Sequence, residues 1–270
     1  MSRWALLLLF TGCCALTATA QDDVASVRDK TFRLEPSPRH LRYKLIAAKK
    51  LPEPPEQGWG LLVVMPGGDG SADFTPFVKR IYQYALPEGY LVIQPLAPKW
   101  TSKQQIVWPV TSNPAPKMEV GVDEFIRMAV DDVAARTHID PTRVFALAWS
   151  SGGPAAYAAT LADDSPLRGA MVAMIVFNPR WLPPLENAEG KGYFLWHSRE
   201  DKVCPFRMAE DARVRLSESG ASTVLETYAG GHGWRVDPFG AIRSGVTWLE
   251  VQSANTDAEI AESTITASDP

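Results

Sequence analysis

Short apolar runs of β-forming residues alternate along this chain with longer stretches whose apolar positions recur at helical spacing. The run 60–65 reads Gly-Leu-Leu-Val-Val-Met and 90–94 reads Tyr-Leu-Val-Ile-Gln. Residues 144–149, 170–177 and 193–197 have the same character, and 222–228 is a more polar version. Apolar runs this short, without alternation, mark strands buried on both faces. Between them, 74–86 places Phe74, Phe77, Val78, Ile81, Tyr84 and Ala85 at helical spacing, and 118–136 does the same with Phe125, Met128, Ala129 and Val133. Further helices are predicted over about 152–162, 206–218 and 238–250. Two strands, 31–34 and 41–47, are predicted ahead of the core, separated by Pro-Ser-Pro at 36–38. The stretches 49–58 and 95–118 read as loops, and a loop as long as the second is usually functional.

This order predicts the α/β class: a mostly parallel central sheet with helices on both faces, a three-layer sandwich. One domain is expected, over 31–251. The first twenty residues are set apart. Arg3 precedes the apolar stretch 4–16, and Ala-Thr-Ala at 18–20 ends before polar Gln21, which predicts a secretory signal peptide over 1–20. Phe-Thr-Gly-Cys at 10–13 also resembles a bacterial lipobox, which would instead leave the protein anchored by lipid at Cys13. Residues 21–30 are expected to be flexible. The tail 252–270 carries Asp257, Glu259, Glu262 and Asp269 with no Lys or Arg, and is expected to be disordered.

Composition narrows the function. The chain is 46% hydrophobic and 21% charged, as globular domains are, and its net charge of −4 argues against a nucleic-acid partner. Beyond the N-terminus no apolar run reaches the roughly 18 residues that span a bilayer. Cys204 is the sole cysteine after the leader, so no internal disulfide is available, and it has no CxxC or Cys/His cluster around it. Neither a metal nor a cofactor is expected, and nothing in the sequence speaks to oligomeric state.

Candidate chemistry lies at the turns after the strands. Ala148-Trp-Ser-Ser-Gly-Gly153 sits where a strand gives way to a helix, the place of a strained turn that projects a serine hydroxyl from the sheet edge. Such a turn needs small residues two before and two after the serine. Ser150 has Ala148 and Gly152, whereas Ser151 would have Trp149, so Ser150 is the candidate nucleophile. A serine needs a base and an orienting acid. His232, flanked by glycines in Tyr-Ala-Gly-Gly-His-Gly-Trp (228–234), follows the last strand and is the candidate base. The acid lies in Trp-His-Ser-Arg-Glu-Asp-Lys-Val-Cys-Pro (196–205), where spacing leaves Asp201 and Glu200 both open. Backbone N–H groups of Gly68, in Met-Pro-Gly-Gly-Asp-Gly (65–70), and of Ser151 are candidate oxyanion donors.

Taken together, Val-Val-Met-Pro-Gly-Gly-Asp-Gly, Ala-Leu-Ala-Trp-Ser-Ser-Gly-Gly, His-Ser-Arg-Glu-Asp-Lys-Val-Cys-Pro and Tyr-Ala-Gly-Gly-His-Gly-Trp resemble the α/β-hydrolase superfamily over about 60–250. Within it the chain is most similar to the carboxylesterase/phospholipase branch of small esterases and thioesterases. The resemblance implies that Asp201 rather than Glu200 is the acid, since Val203 and Pro205 fall where that branch has Val-Pro, and that Gly68 is an oxyanion residue. Pro66, Ala148, Ser198 and Cys204 depart from the branch pattern. The implied activity is ester hydrolysis through an acyl-enzyme on Ser150. A serine peptidase of the same fold, or a binding protein that keeps the scaffold, are the alternatives. Trp100, Trp108 and Trp181, in 95–118 and 178–187, are candidate pocket residues. No lid insertion separates the strand 170–177 from 193–197, so an open site for small or polymeric esters is expected.

Overall fold

The computed structural model describes residues 24–35 and 41–267. The expected signal peptide and Cys13 lie outside the described residues. One sheet of eight strands organises the chain: β1 (Val27–Arg33), β2 (Arg42–Ala48), β3 (Trp59–Met65), β4 (Tyr90–Pro95), β5 (Ile139–Trp149), β6 (Gly169–Ala173), β7 (Gly192–Ser198) and β8 (Ser222–Tyr228). Their spatial order is β1-β2-β4-β3-β5-β6-β7-β8. β1 and β2 run antiparallel to each other and β2 runs antiparallel to β4, while all pairs from β4 through β8 are parallel.

Among the described residues, five α-helices cover the sheet: α1 (Thr75–Tyr84), α2 (Val122–Ala134), α3 (Gly153–Leu161), α4 (Arg207–Glu218) and α5 (Pro238–Ala267). Successive strand residues point to opposite faces, so each central strand feeds two cores. Leu61, Val63 and Met65 of β3 join a core with α2, α3 and α4, whereas Leu62 and Val64 join one with α1 and α5. This is why β3, β4 and β5 read as unbroken apolar runs. In such a sheet the crevice outside the carboxyl ends of the parallel strands is where ligands bind.

Several expectations are corrected. The segment expected to be flexible contributes the start of β1, and Val24 and Val27 are buried in the α1/α5 core. The polar edge strand hid this, because only Val27 among its residues is fully buried. The tail expected to be disordered instead continues α5 to Ala267. Its polar residues find partners on the sheet. Ser253 donates to the Thr142 carbonyl at 2.7 Å, Thr256 donates to the Gly190 carbonyl at 3.2 Å, and Arg168 pairs with Asp257. The Asp-Pro-Thr-Arg turn at 140–143 lies inside β5, where a register shift against β3 accommodates it and Asp140 accepts from the Thr142 amide at 2.9 Å. β6 stops at Ala173, and Met174, at φ +46°, donates its amide to the Trp196 carbonyl at 2.9 Å as the chain turns out of the strand.

Candidate active site

The C-terminal ends of β3, β5, β7 and β8 deliver four turns to one edge of the sheet. β5 ends at Trp149, and Ser150 begins a 3-10 turn, Ser150–Gly152, that runs straight into α3. Ser150 has φ +52°. For a residue with a side chain this conformation costs about 1–3 kcal/mol and persists only where the surroundings hold it. They do so by crowding. A Cβ at Gly152 would lie 2.3 Å from the Met65 carbonyl oxygen, and one at Gly153 would lie 2.4 Å from Ile175. Ala148 is fully buried. The small residues around Ser150 are therefore what the turn demands.

His232 reaches Ser150 from the loop after β8. Its Nε2 lies 3.1 Å from Ser150 Oγ, and its Nδ1 lies 2.8 Å from Asp201 Oδ2. Asp201 follows β7 with its side chain fully enclosed, and Oδ1 accepts the Val203 and Cys204 amides, each at 2.8 Å. Burial disfavours charge on Asp201, but the His232 hydrogen bond and the two backbone amides together outweigh it and hold its carboxyl below the ordinary 3.8. An ionised Asp201 keeps the proton of His232 on Nδ1, which leaves Nε2 free to accept from the serine. Glu200, the other acid that spacing left open, points elsewhere. Its Oε2 accepts the Gly230 amide at 3.0 Å.

The turn after β3 closes the site from the other side. A Cβ at Gly67 would lie 2.9 Å from Ser150 Cβ, and Gly68 takes φ +62°. Ser151 Oγ donates to the Gly68 carbonyl at 2.8 Å, tying this turn to the serine turn. Of the candidate pocket tryptophans, Trp181 is 38% exposed and Trp100 is half-buried. Trp108 is buried, and its indole N–H donates to the Pro66 carbonyl at 3.0 Å. A Cβ at Gly70 would lie 2.6 Å from the same indole, so Trp108 underpins the 66–70 turn.

Sequence reasoning missed several supports. Ser198, at the end of β7, accepts the Gly231 amide at 3.1 Å and the Glu200 amide at 3.2 Å, bridging the acid and histidine loops. The Gly233 amide meets Met174 Sδ at 3.1 Å. Trp234 stacks on Trp196 at 5.2 Å and meets Trp149 edge-on at 5.7 Å, fixing the chain two residues past His232. His197 is the largest omission. It is buried, its Nε2–H donates to the Cys204 carbonyl at 2.8 Å, and the same nitrogen lies 3.3 Å from Asp201 Oδ2. A histidine four residues before the acid was the available signal, since it can fold back across a tight acid turn.

Burial lowers the pKa of His197 from its ordinary 6.5, against the raising influence of the Cys204 carbonyl and Asp201. A folded pKa below the unfolded one means that the unfolded chain binds more protons once pH falls below about 6.5, so stability drops there. The parent is expected to lose more melting temperature between pH 7 and pH 5 than His197→Gln does, by about 2–4 °C per kcal/mol of linkage. Thermal melts of both proteins across this range measure it, and parallel curves would refute it.

Asp201, Cys204 and His232 bring ligand-type atoms within 4.8 Å of one another. The set is ill suited to a metal. Burial and the charge of Asp201 push the Cys204 thiol up to about 11, and both Asp201 oxygens already accept hydrogen bonds.

A serine, a histidine and an aspartate thus stand in hydrogen-bonding sequence at the carboxyl edge of a parallel sheet. Known structures match the fold. An α/β-hydrolase enzyme from a Medee basin deep-sea metagenome library aligns with TM-score 0.62 at 13% identity, over 85% of this chain and 99% of its own. An esterase from Rhizomucor miehei aligns with TM-score 0.63 at 13% identity, over 90% and 88%. The Bacillus cereus carboxylesterase aligns with TM-score 0.58 at 16% identity, over 78% and 94%. No protein-family model matches the chain, and no curated protein does. The chain has the α/β-hydrolase fold.

Proposed function

We propose that the protein is a serine ester hydrolase that works through an acyl-enzyme on Ser150. The observation that carries this reading is the unbroken hydrogen-bonded line Asp201–His232–Ser150. The esterase and carboxylesterase among the matched folds support it as an analogy of fold. In this reading His232 Nε2 takes the Ser150 proton as Oγ attacks the ester carbonyl. The N–H groups of Gly68 and Ser151 hold the oxyanion, each worth about 3–4 kcal/mol in such a site. The C–O bond to the alcohol then breaks, and His232 returns the proton to the departing oxygen. Water, deprotonated by His232, attacks the acyl-enzyme and releases the acid.

Small or polymeric esters are the proposed substrates, with Trp100 and Trp181 lining the approach. Among the described residues no helix is long and apolar enough to cross a membrane. The leader-like residues 1–20 support a protein exported after cleavage near Ala20, or one held by lipid at Cys13. The test is labelling of the folded protein with a fluorophosphonate followed by peptide mapping. Modification of Ser150, with loss of p-nitrophenyl ester cleavage in the same proportion, is expected. Unmodified Ser150 under conditions that inactivate the protein would overturn the reading.

A further inference from the structure

Two hollows of about 610 Å³ each lie side by side along the antiparallel edge of the sheet and share Lys44 and Ala72 as a common wall. Arg42, Lys44 and Lys99 line the first together with Asp69, and Arg28, Lys49 and Lys79 line the second together with Asp29. Arg28 and Asp29 are neighbours on β1 and point to opposite faces, so five cations, Arg42, Lys44, Lys49, Lys79 and Lys99, face two carboxylates in a chain whose net charge is −4.

The charges are unevenly satisfied. Lys44 and Lys79 both bond Asp29, each at 2.6 Å. Arg42 and Lys49 make no ion pair among the described residues, and Lys99 acts on Asp69 only through its charge, without an ion-pair contact. Arg42 also stands directly opposite Arg33 in the β1–β2 register. Like charges facing each other across an antiparallel pair are destabilising, so this edge carries a repulsion that a bound anion relieves. Arg42 and Lys44, two apart on β2, project to the same face, which aligns the charges along one trough.

The trough begins at the proposed oxyanion turn. Asp69 and Ser71 line it, and a Cβ at Gly67 would lie 2.9 Å from Ser150 Cβ. Successive Cα atoms are about 3.8 Å apart, which puts the Asp69 Cα within about 12 Å of Ser150 Cβ. A chain of six to eight carbons therefore connects a carbonyl at Ser150 to the trough.

We infer that this trough is a substrate subsite, which seats a carboxylate on the non-reacting part of an ester and gives the protein a preference for acidic over neutral esters. The inference rests on the serine esterase reading for its chemistry, but not for the binding itself. The experiment compares mono-p-nitrophenyl suberate with p-nitrophenyl octanoate, two esters of equal chain length that differ by the carboxylate. In R42E/K99E, with both residues exposed, the suberate-to-octanoate ratio of kcat/KM is expected to fall about tenfold from the parent's, as two attractions become repulsions. R42Q/K99Q gives a smaller fall in the same direction and serves if the reversal disturbs folding. A ratio within twofold of the parent's in both variants overturns the inference.

Calorimetry with monomethyl suberate separates the two readings. Ser150→Ala is expected to bind it, and the R42E/K99E change in that background is expected to weaken binding at least fivefold. If the parent cleaves neither ester yet this difference persists, the esterase reading fails and the subsite stands. Equal binding by both proteins removes the subsite, whatever the parent cleaves.

Discussion

Ser150→Ala is expected to lower kcat for a p-nitrophenyl ester by about four to six orders of magnitude, as removal of the nucleophile does in other serine hydrolases. The fold should hardly change. Ser150 Oγ makes one hydrogen bond, to His232, and the strained φ of +52° belongs to the turn rather than to the hydroxyl. Alanine inherits that strain without adding to it, so the melting temperature should stay close to the parent's. Activity and stability are therefore expected to separate cleanly. A variant that keeps more than about one hundredth of the parent rate with an unchanged melt would show that the hydroxyl is not the attacking group, since background catalysis by the remaining groups is far weaker.

Asp201→Asn should come next in size, with kcat lower by about 10⁴-fold, because the neutral amide favours the wrong histidine tautomer. The geometry explains the severity. Oδ1 of Asp201 accepts the Val203 and Cys204 amides, so an asparagine satisfies them only by keeping its oxygen there. Its NH2 group then faces His232 Nδ1 and donates to it. The ring proton moves to Nε2, which no longer accepts from Ser150. Glu200→Gln is the control. Its amide oxygen still takes the Gly230 N–H, so a loss below about tenfold is expected. Steady-state kinetics on the pair decides which acid orients the base, and comparable losses in both would sink the assignment to Asp201.

The difference in legibility between these groups is physical. Ser150 could be singled out because steric crowding acts on neighbours in the chain: a turn that admits no Cβ at Gly152 writes itself as a short local pattern. The central strands were legible for a similar reason, since burial on both faces leaves no polar position. The edge was not. β1 exposes most of its side chains, and its pairing with β2 is carried by backbone groups that every residue shares. The end of α5 was misread because its partners, Thr142, Arg168 and Gly190, are about 66 to 111 residues away in sequence, and no composition rule sees them. His197 escaped because its value depends on the Asp201 turn folding back beneath it. Trp108 looked like a ligand contact from its loop and proved to be a prop for the Gly67–Gly70 turn.

The far half of α5 has a consequence for how the protein is made. Glu250, Ser253, Thr256 and Asp257 fasten the opening ends of β5, β6 and β7 through Arg143, Thr142, Gly190 and Arg168. Yet the 30 residues of that helix are translated after all eight strands. A nascent chain that has already emerged through β8 still lacks its fastener, and the ribosome adds only about 5–20 residues each second. For that interval the polypeptide lacks the side-chain bonds that close the opening ends of β5, β6 and β7, and it gains them only once its last segment arrives.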